Sequence, residues 1–105
     1  MYIPNKELRA AIKPQRDAIY KLLEHHTCFE LLKIGDTEIQ LTCTFDGFYK
    51  STSLECDYGG NWYFVEEQDE SNCYDNYRYS QDLKLDYKSP ANEVVNALMG
   101  ILVWI

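Results

Sequence analysis

The residues best suited to chemistry stand at His25-His26 and Cys28, with Cys43, Cys56 and Cys73 further along. Imidazole and thiolate are the usual zinc ligands, but zinc sites draw them from close couples such as C-x-x-C. Here the cysteines are 15, 13 and 17 residues apart and no such pair occurs, so the spacing argues against a metal site. A cysteine nucleophile needs a base beside it, and His25 or His26 could serve Cys28 or Cys73 only if folding brought them together. Cys43 and Cys56 fall in apolar slots of alternating segments, where a free cysteine acts as a small hydrophobe. If Gly35-Asp36 closes a two-residue hairpin, Cys28 comes opposite Cys43, close enough for a disulfide in an oxidising compartment. Acid pairs for glycoside hydrolysis carry no signal, since twelve acids within residues 36–88 offer many accidental pairs. Phosphate-binding, dinucleotide, zinc-protease, hydrolase-elbow and calcium-loop patterns are all missing, and Glu66-Glu67-Gln68-Asp69-Glu70 lacks the alternation and central glycine of a calcium loop. The chain reads as a non-enzyme with no catalytic residue, metal or cofactor.

What remains is charge. Seventeen Asp and Glu against ten Lys and Arg leave a net charge of -7, which disfavours a phosphate backbone or an anionic membrane surface. The acidity is local: residues 54–82 carry eight carboxylates against Arg78 alone, together with five of the nine tyrosines. The longest apolar stretch, residues 94–105 interrupted by Asn96, is short of the about twenty residues a membrane helix needs. The opening Met1-Tyr-Ile-Pro-Asn-Lys-Glu-Leu8 has neither part of a signal peptide, so a cytoplasmic location is expected.

These side chains must be positioned by one domain, 1–105, since 105 residues match a typical domain and no repeat or linker divides them. Leu8, Ile12, Ile19, Leu22 and Leu23 recur with helical period, placing a helix within 5–26. Pro14 inside it predicts a kink, or a start near Lys13. Lys6, Arg9, Lys13 and Arg16 would then form a solvated basic stripe. The period changes to two at Glu38-Ile-Gln-Leu-Thr-Cys-Thr-Phe45, which runs into Asp46-Gly47, a strong hairpin signal. With Gly35-Asp36 and Gly59-Gly60, this predicts strands at about 29–34, 37–45, 48–58 and 61–66, and Asp82-Leu-Lys-Leu-Asp-Tyr-Lys88 suggests another. Residues 67–73 read as a loop. Ser89-Pro90 opens a final helix in which Ala91, Val94, Val95, Leu98, Ile101, Leu102 and Ile105 follow helical spacing, with Met99, Val103 and Trp104 on its other side. The fold class is α+β: an antiparallel β-meander of four to six strands, with an N-terminal helical segment and a C-terminal helix packed on one face.

Counting outward from two-residue turns assigns the faces. Ile39, Leu41, Cys43, Phe45, Phe48, Leu54, Cys56, Tyr58, Tyr63 and Val65 form the core face, interrupted by Lys50 and Thr52. Glu38, Gln40, Thr42, Thr44, Tyr49, Ser51, Ser53, Glu55, Asp57, Trp62, Phe64 and Glu66 form the other, with Trp62 opposite Asp57 and Phe64 opposite Glu55. A bulge of one residue near Gly59-Gly60 would exchange Trp62 and Phe64 with Tyr63 and Val65.

Aromatics beside carboxylates on a polar sheet face suit an interface, because aromatics anchor hot spots and carboxylates steer a basic partner. The expected partner-binding surface comprises Tyr49, Glu55, Asp57, Trp62, Phe64, Glu66, Glu67, Asp69, Glu70, Asp75 and Tyr77. In size and acidity, though in no diagnostic motif, the chain resembles phage anti-CRISPR inhibitors and the immunity proteins of nuclease toxins. That resemblance implies a nucleic-acid mimic inhibiting a basic nuclease, CRISPR effector or toxin through protein-protein contact, without binding nucleic acid or membrane directly. In outline, helix, meander and helix also resemble type III secretion chaperones, which would imply a homodimer through the C-terminal helix holding a client segment.

Overall fold

The computed structural model describes residues 5–25, 29–43, 51–68 and 77–102. Helix α1 (Asn5–Leu23) is followed by strands β1 (Phe29–Ile34), β2 (Glu38–Cys43), β3 (Ser51–Cys56), β4 (Asn61–Gln68) and β5 (Tyr77–Asp86), then by helix α2 (Ala91–Leu102). The strands form one antiparallel sheet in chain order, so the fold is α+β with a five-stranded meander between two helices. Helix α1 packs on α2 and on β1 and β2, and α2 packs on β5, so the helices share one face of the sheet.

The α1 stripe of Leu8, Ile12, Ile19 and Leu23 meets Ile39 and Leu41 of β2, Leu54 of β3, Trp62 and Phe64 of β4, and Val94, Val95 and Leu98 of α2 in one core. Pro14 neither ends nor delays α1, and it sits exposed on the outer side. Arg16 does not belong to a solvated basic stripe, because its position falls within the buried one. Its Nη1 donates to the carbonyls of Gly35 (2.8 Å) and Glu38 (3.2 Å), and its Nε donates to the Asp17 carboxylate (2.9 Å). A guanidinium can be buried on these terms, since its donors replace the water they lose, and it ties α1 to the β1–β2 turn.

Registers decide which face each side chain joins. Between β2 and β3 the predicted register holds, Ile39 opposite Leu54 and Leu41 opposite Thr52. The buried Thr52 hydroxyl donates to the Leu41 carbonyl at 2.8 Å, which lets a polar residue stand in the core face. Between β1 and β2 the turn takes three residues, Gly35 to Thr37, so Phe29 stands opposite Cys43 and the expected facing of Cys28 with Cys43 is corrected.

The β3–β4 hairpin also differs by one residue. Tyr58, Gly59 and Gly60 form its loop, closed by Asp57 and Asn61, whose backbones bond at 2.9 Å. Gly60 N–H donates to the Asp57 carbonyl (3.0 Å), completing the turn, and Gly60 then takes φ +81. This is a three-residue loop with a left-handed glycine, in place of a two-residue turn centred on Gly59-Gly60. Cys56 therefore faces Trp62, Glu55 faces Tyr63 and Leu54 faces Phe64. Trp62 and Phe64 are wholly buried under the helices, while Tyr63 and Val65 point the other way, correcting both face assignments; Val65 is buried as expected (4% exposed), but on the face away from the helices and outside their core cluster. Tyr58, expected in the core, is 83% exposed at the loop tip. Glu67 and Gln68 extend β4 into the segment read as a loop.

Opposite Trp62, β5 spends three residues, Leu83, Lys84 and Leu85, between the pairs Asn61–Asp86 and Tyr63–Asp82. The extra length is taken up at Lys84, which has φ 57 and whose N–H donates to the Asp82 carboxylate at 2.7 Å. Ser89 turns the chain from β5 into α2: its hydroxyl accepts from Asp86 N–H at 3.0 Å, and Pro90 starts the first helical bonds.

Candidate functional site

The sheet face away from the helices carries the candidate site. Its clearest feature is one cross-strand row, Ile34–Glu38–Glu55–Tyr63–Asp82, with one residue from each of the five strands. Strand spacing of about 4.8 Å sets the Glu38 and Glu55 positions about 5 Å apart, with Asp82 about 10 Å from Glu55. The row therefore sets three carboxylates in line across the sheet, two of them on directly opposed positions of neighbouring strands. The next row, Leu32–Gln40–Ser53–Val65–Ser80, is uncharged.

Tyr63 stands between acids and records their field. The charge of Asp57 raises its pKa above the ordinary tyrosine value, with desolvation, the charge of Asp82 and a hydrogen bond to Asp57 adding to the effect. Asp57 itself builds the hairpin: its Oδ1 accepts the backbone N–H groups of Gly59 and Asn61, both at 2.9 Å. This aspartate is thus a turn residue first, as expected where a carboxylate can satisfy loop amides. A cleft of about 630 Å³ reaches from this row to α1, lined by Glu55, Tyr63 and Val65 on one side and by Leu8, Arg9 and Ile12 of α1 on the other, with Cys56 and Tyr58 between. Burial, with the nearby charges of Asp57 and Asp86, pushes the Cys56 thiol up to about 12, so it is held as a thiol at neutral pH and is a poor nucleophile.

Of the expected partner-binding residues, the structure brings Glu55 and Asp57 to this face. Trp62 and Phe64 lie in the core, with Trp62 Nε1 donating to Gln15 Oε1 at 2.7 Å. Glu66 lies in the helix-side row opposite Thr52, at a groove of about 510 Å³ bordered by Ala97 and Gly100 of α2. Glu67 and Tyr77 are placed by backbone in β4 and β5, opposite Arg78 and Gln68. Tyr49, Asp69, Glu70 and Asp75 lie outside the described residues, as do His26, Cys28, Cys73 and Val103 to Ile105. Sequence reasoning left Tyr63 and Asp82 out of the site; the alternation from Asp82 to Asp86 was the available signal for the second. Among the described residues no group of three metal-ligating side chains occurs, and no helix is long and apolar enough to cross a membrane.

Compared with known proteins, the chain matches no family model, no curated protein and no solved structure.

Proposed function

We propose that this protein is a non-enzymatic inhibitor that binds a basic, nucleic-acid-acting protein through the sheet face that lies away from its helices. The observation that carries the reading is the row of Glu38, Glu55 and Asp82 on the face opposite both helices. Carboxylates held on neighbouring strands can engage the same Lys and Arg side chains that a nucleic acid engages through phosphates. The net charge of -7 adds long-range attraction for such a partner and repulsion from nucleic acid itself. A nuclease, a CRISPR effector or a nuclease toxin meets this description, because holding a nucleic acid requires Lys and Arg side chains that neutralise its phosphates.

The test is capture of partners from cells of the native host with the tagged wild type beside Glu38→Lys/Glu55→Lys and the milder Glu55→Gln. Recovery of one basic nuclease, effector or toxin, lost with the double reversal and weakened with the neutralised variant, is the expected result. Association should also slow as salt is raised, because screening shortens the reach of charge to about 8 Å at physiological ionic strength. A partner that binds the double reversal unchanged at salt-independent rate would overturn the acidic face. A secreted client in its place would turn the reading to a chaperone or adaptor.

A further inference from the structure

We infer that β1 is a docking edge to which an extended segment of the partner adds as a sixth strand, presenting apolar side chains to Leu32 and Ile34 and a basic one to Glu30. This rests on the proposed basic partner and specifies how it is held. The sheet has two edges. The β5 edge is interrupted by the three-against-one irregularity at Trp62 and by left-handed Lys84, which spoil it as a template. The β1 ladder is regular over all six residues.

Backbone bonding shows what this edge offers. Cys56 N–H donates to the Thr37 carbonyl at 3.1 Å, so Thr37 faces β3. Alternation in an antiparallel ladder then turns Glu38, Gln40 and Thr42 toward β1. Their partners Ile34, Leu32 and Glu30 are spent inward, and Phe29, Leu31 and Lys33 present N–H and C=O groups outward. The Tyr20 hydroxyl, reaching the Leu31 carbonyl at 3.5 Å, meets one of these groups by a long contact that an incoming amide can replace. On the open side Leu32 is 58% and Ile34 39% exposed, two of the five exposed large hydrophobics among the described residues. On the helix side Lys33 is held by Asp17 at 3.4 Å and lies over the Tyr20 ring.

Charge selects the occupant. Glu30 shares the open side with Leu32 and Ile34, and the row beyond Ile34 begins with Glu38, so a basic side chain is favoured at the end of an apolar strand. A second copy fits less well. With Leu32 paired on its own two-fold mate, Ile34 would face Glu30, and both chains carry -7.

The probe is a capped peptide, Lys-Val-Thr-Val-Ile-Lys-Lys, which running antiparallel sets its two Val opposite Ile34 and Leu32 and the Lys after Ile opposite Glu30. Amide exchange and backbone NMR shifts of the full chain are followed on titration. The expected result is saturable slowing of exchange at the Leu31 and Lys33 amides, lost when the peptide is N-methylated at Ile and lost in Lys33→Pro. That proline removes an outward N–H and no rung to β2, and Lys33→Ala, which keeps the N–H, should retain the protection. Shifts confined to Glu38, Glu55, Tyr63 and Asp82 without protection at β1 would overturn strand addition while leaving the acidic-face reading standing. Protection in the free protein that grows with its concentration would assign the edge to a second copy, and no response anywhere would equally overturn the proposal.

Discussion

Trp62 Nε1 donates to Gln15 Oε1 at 2.7 Å, and through this one bond the buried aromatic of β4 is fixed to α1. The same Gln15 amide turns its Nε2 to the carbonyls of Asp86 (3.1 Å) and Ser89, where β5 passes into α2. One side chain therefore joins α1, the sheet and the start of α2. Gln15→Leu should leave a buried indole N–H and two carbonyls without this partner, costing about 1–3 kcal/mol. Urea unfolding monitored by far-ultraviolet circular dichroism measures it, and a loss within error of wild type would show that water replaces the amide.

Gly60 cannot carry a side chain in its present setting. A Cβ there would lie 2.4 Å from Cδ1 of Tyr87, and φ +81 is strained for any L residue. Gly35, at φ +56, has open space around the same position. Gly35→Ala should cost roughly 1–2 kcal/mol from backbone strain alone. Gly60→Ala should cost more, because the Tyr87 ring must also move, and the ordering of the two melting temperatures checks this.

Asp57 and Glu55, neighbours in the acidic patch, should separate when stability and binding are both measured. Asp57→Ala removes a carboxylate that accepts two loop amides and should destabilise by about 1.5–3 kcal/mol, the range for hydrogen bonds to charged groups. Glu55→Gln keeps the side chain's length and removes only its charge, so it should cost less stability than Asp57→Ala while partner binding weakens. Denaturant midpoints and association rates of the same two variants supply the comparison.

Cys56 should label slowly in the native protein. With its pKa pushed up to about 12 from 9.0, chiefly by burial, its thiolate fraction near neutral pH is about a thousandfold below that of an unperturbed thiol. Iodoacetamide labelling followed by peptide mass spectrometry isolates this site from the other cysteines. Because the folded pKa is the higher one, N binds more protons than U between pH 9 and 12, so this contribution to stability is present below pH 9 and lost as pH rises toward 12. Tyr63 acts in the same direction above its ordinary pKa, and Tyr63→Phe should remove one late-titrating phenol from the ultraviolet titration.

Asp17 gives the opposite slope. Burial works against its charge, but the hydrogen bonds and charges of Arg16 and Lys33 outweigh that and hold its pKa below the usual aspartate value. A lowered folded pKa contributes stability above the unfolded value, lost as pH falls through the folded one. The acid limb of the stability curve should therefore be shallower in Asp17→Asn than in the wild type, as pH-dependent urea midpoints would show.

Element types were legible because hydrophobic period reports local geometry: 3.6 along α1 and α2, two along β2 and from Asp82 to Asp86. The β2–β3 register was legible too, since the Asp46-Gly47 signal and unbroken alternation allowed one count. Gly59-Gly60 allowed two, because the pair serves either as the centre of a two-residue turn or, as found, as the last two residues of a three-residue loop. A shift of one residue exchanges faces, and nothing local separates Trp62 and Phe64 from Tyr63 and Val65 as apolar strand residues. Tertiary packing decided it: the helices bury the two larger side chains, Gln15 satisfies the indole, and Tyr63 is left among the carboxylates. Arg16 followed the same rule, since a helical period places it in the buried stripe and only the neighbouring turn provides the carbonyls that let a charge remain there.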